Sequence, residues 1–254
     1  VAMRTCYVRR QLRMPRDAVE PMVVIGAEPG RTTGMFLSRY ENDQWVFTNW
    51  GMLGQEPPAD LTGMVAFATG FAPPHLLAAL RTADPVGEAT RHRMPSSQWR
   101  RYDRLHRFPA GLLVCGDAIS SFNPVHGQGM TVAALDALAM RHALRGGTRD
   151  LPGRYFRAAA KSIGIAWRNA AGTDLGLPEV TGRRTAATRI TNRCADWVLT
   201  ACETDAVVAE RFFRVSNLLD PPSRLLRPSF AVAVLKANRR NHRPTLNTVQ
   251  TLAT

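Results

Sequence analysis

Lysine is nearly missing from this chain. Of 33 basic residues only Lys161 and Lys236 are lysines. The arginines are scattered instead of forming one block, and motifs of nucleic-acid-binding folds are absent. The formal net charge of +13 therefore reads as arginine bias, and no nucleic-acid partner is expected. Cysteine is scarce as well. Cys6, Cys115, Cys194 and Cys202 show no CxxC pair and no companion histidine cluster, so neither a metal site nor a redox pair is indicated, and free buried thiols in a reducing cytoplasm are expected. No apolar run approaches the roughly 20 residues that span a bilayer. Charges interrupt the opening VAMRTCYVRRQLR throughout, which excludes a signal peptide. That stretch looks like the middle of a strand, and a segment upstream of it is expected. A dinucleotide fingerprint is also lacking. Gly26-Ala27-Glu28-Pro29-Gly30 places a proline where the helix of a GxGxxG unit should open.

An apolar fraction of 45% is ordinary for a protein that buries a core, so disorder is not the default. The first fifty residues read as sheet. TCYVRRQLRM, MVVIGAE, GMFLSRY and QWVFTNW are rich in β-branched and aromatic residues with partial alternation. Glu41-Asn42-Asp43 is a polar turn, which makes Gly34–Tyr40 and Gln44–Trp50 an antiparallel hairpin. Trp45, Phe47 and Asn49 then share one face, and Val46, Thr48 and Trp50 the other. Leu61–Thr69 and His75–Thr82 read as short helices, the second entered through Pro73-Pro74. Val86–Met94 is a further strand candidate, and QWRRYDRLHRFPAG reads as a solvated charged surface. Leu151–Ala171, Arg189–Ala201, Asp205–Asn217 and Phe230–Asn238 are helices, with Pro221, Pro222 and Pro228 as breaks. The segment Phe212–Lys236 alternates arginines with apolar residues. A helical cover over a core is the favoured reading, and a peripheral membrane contact the other.

LLVCGDAISSFNPVHGQGMTVAALDALAMR, Leu112–Arg141, carries the chemistry. Leu112–Cys115 is an apolar run closed by glycine, as in a parallel strand buried on both faces. Asp117 would sit at its carboxyl end, where open α/β sheets bind ligands, and could accept a hydrogen bond from a ligand hydroxyl or cap its own turn. Pro124 fixes the chain direction. Gly127 and Gly129 flank Gln128 before a helix over Thr131–Leu144, ended by Gly146-Gly147. Glycines there let backbone approach a flat ligand, and the helix start offers unpaired amides to an electron-rich ring edge. The helix itself is apolar nearly all round and is expected to be buried, with Asp136 and Arg141 as surface or helix-pairing residues.

GDAISSFNPVHGQGMTVAALDA resembles the GD motif of the group A FAD-dependent monooxygenases, the p-hydroxybenzoate hydroxylase-like enzymes. The resemblance implies that Asp117, with Gly116, binds the ribityl part of FAD. It also implies that Gly127, Gln128 and Gly129, with Pro124 and Met130 beside them, contact the isoalloxazine. It implies NAD(P)H as reductant, O2 as oxidant and a small lipophilic aromatic or alkene substrate. The chain departs from the family pattern at Ala118-Ile119-Ser120, where many members have Ala-Ala-His, and at His126, where tyrosine is frequent. The larger departure is the absent fingerprint, so the chain resembles the carboxy-terminal portion of such an enzyme and expects a missing N-terminal FAD-binding half as partner. The fold class expected is α/β, an α+β fragment. Residues 1–110 would form a substrate-binding antiparallel sheet with helices, 111–147 the last strand and helix of a Rossmann-like FAD domain, and 148–254 a C-terminal helical region. Phe36, Trp45, Phe47 and Phe122 are candidates for the substrate wall, and core packing is the favoured role for any single one of them. The competing expectation is an inactive fragment or interaction protein that binds no FAD alone.

Overall fold

The computed structural model describes residues 2–241. Strands β1 (Ala2–Arg13), β2 (Met22–Ile25), β3 (Thr33–Arg39), β4 (Gln44–Gly51) and β5 (Asp84–Ser96) form one sheet in the order β2-β3-β4-β1-β5, with every neighbouring pair antiparallel. The β3–β4 hairpin expected from the sequence is present, pairing Arg39 with Trp45 and Gly34 with Trp50. Its turn places Asn42 and Asp43 at positive φ (60° and 54°), a conformation that asparagine and aspartate tolerate better than branched residues do.

One sheet face is covered by α1 (Leu61–Ala68) and α2 (Pro74–Arg81). Asp60 caps α1 by accepting from the Gly63 amide (2.7 Å), and a proline opens α2. Val8, Leu12, Met35, Leu37, Trp45 and Phe47 pack there on Met64, Leu76 and Leu80, all fully buried. The buried Asn49 amide nitrogen donates to the Met64 carbonyl at 2.7 Å, while its Oδ1 is buried without a partner among the described residues. On the opposite face a Cβ at Gly34 would stand 2.4 Å from the Trp50 ring, so only glycine fits opposite that tryptophan.

After β5 come β6 (Gln98–Trp99) and β7 (Ser120–Ser121), paired antiparallel, then α3 (Gly129–Arg145) and α4 (Leu151–Asp174), which pack together. The chain divides after Arg183 into two compact units. The second contains α5 (Ala186–Cys202), α6 (Ala206–Ser216) and α7 (Pro228–Asn241), capped at their starts where Thr185 and Asp205 accept from helix amides, around a small core of Ala201, Val208, Phe230, Val234 and Ala237. The helices expected from the sequence are all present; the end of the expected region 148–254 lies outside the described residues. No helix among the described residues is long and apolar enough to cross a membrane.

Two expectations of burial fail. Leu112–Cys115 joins no sheet among the described residues, and Leu112 is 48% exposed, because no parallel neighbour lies alongside to take its amides and carbonyls. The apolar helix α3 buries only Val132, Asp136 and Ala143, leaving Met130, Leu138 and Leu144 in the open, since α4 covers one side of it alone. Of the four free cysteines only Cys6 is buried, and Cys115 and Cys194 are exposed.

Candidate functional site

The site is a turn, a loop and a helix start. Gly116, Asp117 and Ala118 make a single 3-10 turn, closed by the Ile119 amide on the Gly116 carbonyl (2.8 Å). Gly116 has φ 58°, the left-handed region in which a side chain is strained. The Asp117 carboxylate is exposed and bonds to no described residue, so it is not a turn cap. The turn is held from behind by residues of the preceding charged stretch. Arg100 donates its backbone amide to Ile119 (2.8 Å) and its guanidinium to the Asp117 carbonyl (3.4 Å), while β6 pairs with β7.

Next comes a short 3-10 turn, Pro124–His126, ended by Gly127 at φ 63°. A Cβ placed at Gly127 or Gly129 would meet nothing within 4 Å. The glycines therefore leave the backbone edge at the start of α3 bare on its outer side. Pro124 is exposed, Gln128 is buried, and Met130 stands 87% exposed on the first turn of α3.

Beneath the loop lies a buried polar network that sequence reasoning missed. The Asn123 side chain accepts from the Thr5 hydroxyl (3.1 Å) and the Val125 amide (3.4 Å), and donates toward Asp174 (3.5 Å). The Asn123 amide donates to the Ser97 hydroxyl at 2.9 Å. His126 Nε2 lies 2.8 Å from Asp174 Oδ1, with both side chains nearly out of water. The loop is thus tied to β1, to the end of β5 and to the last turn of α4. A signal existed in the spacing: Ala159, Ile163, Ala166, Ala170 and Asp174 repeat at helical intervals, all buried, so Asp174 is the polar member of an apolar stripe.

Asp136 corrects a second expectation. It is fully buried, not a surface residue, and neither carboxylate oxygen completes a hydrogen bond. Burial pushes its pKa up to about 6, partly opposed by the nearby Gly116 amide. The Tyr155 hydroxyl of α4 is buried without a partner too, and burial, then the charges of Asp136 and Cys115, push its pKa up.

The four aromatic candidates separate. Trp45 and Phe47 have no exposed surface and belong to the core between sheet and helices, which corrects their reading as pocket wall. Phe36 is half-buried on the opposite face, and Phe122 is buried with its ring 6.2 Å from that of Trp167 on α4. The charged stretch before Leu112 is exposed at Arg104 and Arg107, as expected, and also lines an open cleft of about 1040 Å³ together with Leu112, Leu113, Phe108 and Phe156.

No family model matches the chain. It is 38% identical over 220 residues to "Protein Rv3254" of Mycobacterium tuberculosis, an alignment that takes in 84% of this chain and 46% of that protein. The chain thus spans about half the length of this curated relative. Several solved structures are similar to this chain. Among them are the Diels-Alderase PyrE3 of pyrroindomycin biosynthesis (TM-score 0.55, 17% identity, 87% of this chain and 45% of that one), PqsL, a probable FAD-dependent monooxygenase of Pseudomonas aeruginosa (0.52, 15%, 70% and 51%), and CmlS, a flavin-dependent halogenase (0.50, 16%, 76% and 38%). Over the part of their length that it spans, the chain has a flavin monooxygenase-like fold.

Proposed function

We propose that this chain forms the ring-facing part of the cofactor site of an FAD-dependent monooxygenase. The observation that carries the reading is the pairing of an exposed, uncommitted Asp117 carboxylate with a bare glycine edge at the start of a 17-residue helix. A carboxylate of that kind suits the hydroxyls of a ribityl chain. Amides at a helix start suit the electron-rich edge of a flavin. Both glycine positions leave the space that a flat ring needs, so the residues present fit the group. Bound there, FAD would supply the redox chemistry, with NAD(P)H as reductant and O2 as the source of the inserted oxygen. The chain's own residues would do the rest. Asp117 binds the polyol, the backbone at Gly127, Gln128 and Gly129 orients the ring with Pro124 and Met130 at its margin, and the Asn123–Asp174–His126 network keeps that loop in place.

The substrate proposed is a small lipophilic aromatic or alkene, with Phe36 and Phe122 as candidate contacts. The similar structures include a halogenase and a Diels-Alderase, so the fold does not select the reaction. The pyrophosphate of FAD needs a further clamp, and we assign it to a second α/β half carrying a GxGxxG unit. Leu112–Cys115, apolar and without a ladder partner, suits a strand of such a half. A reducing, cytoplasmic location accords with four free thiols. Peripheral membrane contact of Phe212–Lys236 remains a proposal resting on exposed Phe213, Leu219 and Leu226 between arginines.

The test is titration of FAD into the purified chain, alone and with the part of the relative outside the alignment added, followed by flavin absorbance and NAD(P)H-dependent oxygen uptake. Bound flavin that weakens in Asp117→Ala supports the reading. No bound flavin in either mixture overturns it. Flavin only in the mixture identifies the chain as one half of the site.

A further inference from the structure

α3 runs directly beneath the Gly116–Ala118 turn. A Cβ at Gly116 would stand 3.6 Å from that of Ala133, and Asp136 follows on the same helix face, one turn later. A carboxylate sealed between α3, α4 and this turn has few partners. Neither oxygen completes a bond, and the Gly116 amide comes close enough to favour the charged form. The other titratable group that interacts with it electrostatically is Tyr155 from α4, with an unpartnered hydroxyl, on which Cys115, just before the turn, also bears. No described cation bonds to it: Arg154, beside Tyr155, is turned onto the Ala143 carbonyl at 2.9 Å.

Such a group is a poor choice for stability, because a buried carboxylate without a full set of donors costs more than a well-packed apolar side chain. It does offer a titratable contact to the backbone of the turn that presents Asp117. We propose that Asp136 is a positioning residue for that turn: its carboxylate, once ionised, draws in the Gly116 amide, so that cofactor binding at Asp117 is coupled to loss of a proton from Asp136. The inference rests on the flavin reading of the site. Physically, an ionised oxygen accepts a hydrogen bond much more strongly than a protonated one, above all away from water. Drawing the amide down fixes the turn against α3 and with it the direction of the Asp117 side chain. Coupling of this kind is reciprocal: a ligand that prefers the drawn-in turn makes Asp136 more acidic, and a higher pH makes the ligand bind more tightly. Burial holds the Asp136 pKa at about 6, so the change falls in the physiological range.

Two measurements on the full chain test this. The first follows the Gly116 amide proton by NMR of glycine-labelled protein without ligand, between about pH 5 and about pH 8. The wild type should show a downfield shift with a midpoint near 6, and Asp136→Asn none. The second is FAD affinity across the same range, with the second half present if binding needs it. The wild type should gain roughly tenfold on going from the acid to the alkaline end, and Asp136→Asn should be flat. A Gly116 amide that does not titrate in the wild type, or an affinity slope that survives Asp136→Asn, overturns the inference. If FAD binds under no condition, the flavin reading fails, while the amide titration still decides whether Asp136 governs the turn.

Discussion

The face of the sheet under α1 and α2 and the segment Leu112–Leu144 are equally apolar in sequence, and their fates differ. Trp45, Phe47, Leu12 and Met64 are sealed from water, because β1, β4 and two helices lie close together in the chain and each buries the others. Leu112, Met130, Leu138 and Leu144 stay in water, because α4 reaches only one side of α3 and no strand among the described residues lies beside Leu112. An apolar pattern states that a surface is suited to burial. Whether it is buried depends on what else is there to cover it. Polar groups differ too: the covered sheet face gives Asn49 a bond for its nitrogen and leaves only Oδ1 unpartnered, whereas beneath the exposed motif neither oxygen of Asp136 completes a bond.

Variants would sharpen this comparison. The largest effect is expected at Trp45→Ala, which should lose about 4 kcal/mol in urea unfolding as a core cavity opens; a loss below about 1 kcal/mol would show that the covered face is not the core. Asp174→Ala removes the partner of His126 and Asn123 and should lose about 3 kcal/mol, with the loop residues 123–129 exchanging their amides faster while β1–β4 remain protected. Asp136→Asn should act in the opposite direction. Its folded pKa of about 6 lies above the unfolded carboxylate value, so the native state holds an extra proton between about pH 4 and about pH 6. Stability therefore falls as pH rises through that window and then levels off. The asparagine should be more stable than the wild type by up to roughly 3 kcal/mol at neutral pH, with no advantage at about pH 4; equal stability at both pH values would remove the buried-charge account. The smallest effect on folding is expected at Asp117→Ala, within about 0.5 kcal/mol, since its carboxylate touches no described residue. Flavin affinity is where that variant should register.

Legibility followed the range of the interactions. The β3–β4 hairpin, the helices over Pro74–Arg81 and Ala206–Ser216 and the Gly146 end of α3 were readable, because each is fixed by neighbours in sequence: a polar turn, an entering proline, an aspartate cap, a glycine stop. Of the two glycines flanking Gln128, Gly127 adopts the positive φ expected of it, whereas Gly129 is already part of α3. The aromatic candidates were not readable, since Trp45 in the core and Phe122 against Trp167 differ only in what packs on them. His126 shows the limit most plainly. In sequence it is a departure from tyrosine; in space it reaches Asp174, 48 residues away.

By itself the sequence determined where the chain turns, where helices start and stop, and which short motif bears glycines and an aspartate, because those depend on local backbone geometry. The tertiary structure decided which apolar surfaces are covered, which aspartates are shut away from water, and which side chains hold the loop. Those outcomes depend on residues brought together from distant parts of the chain, and burial and charge are properties of that assembled neighbourhood.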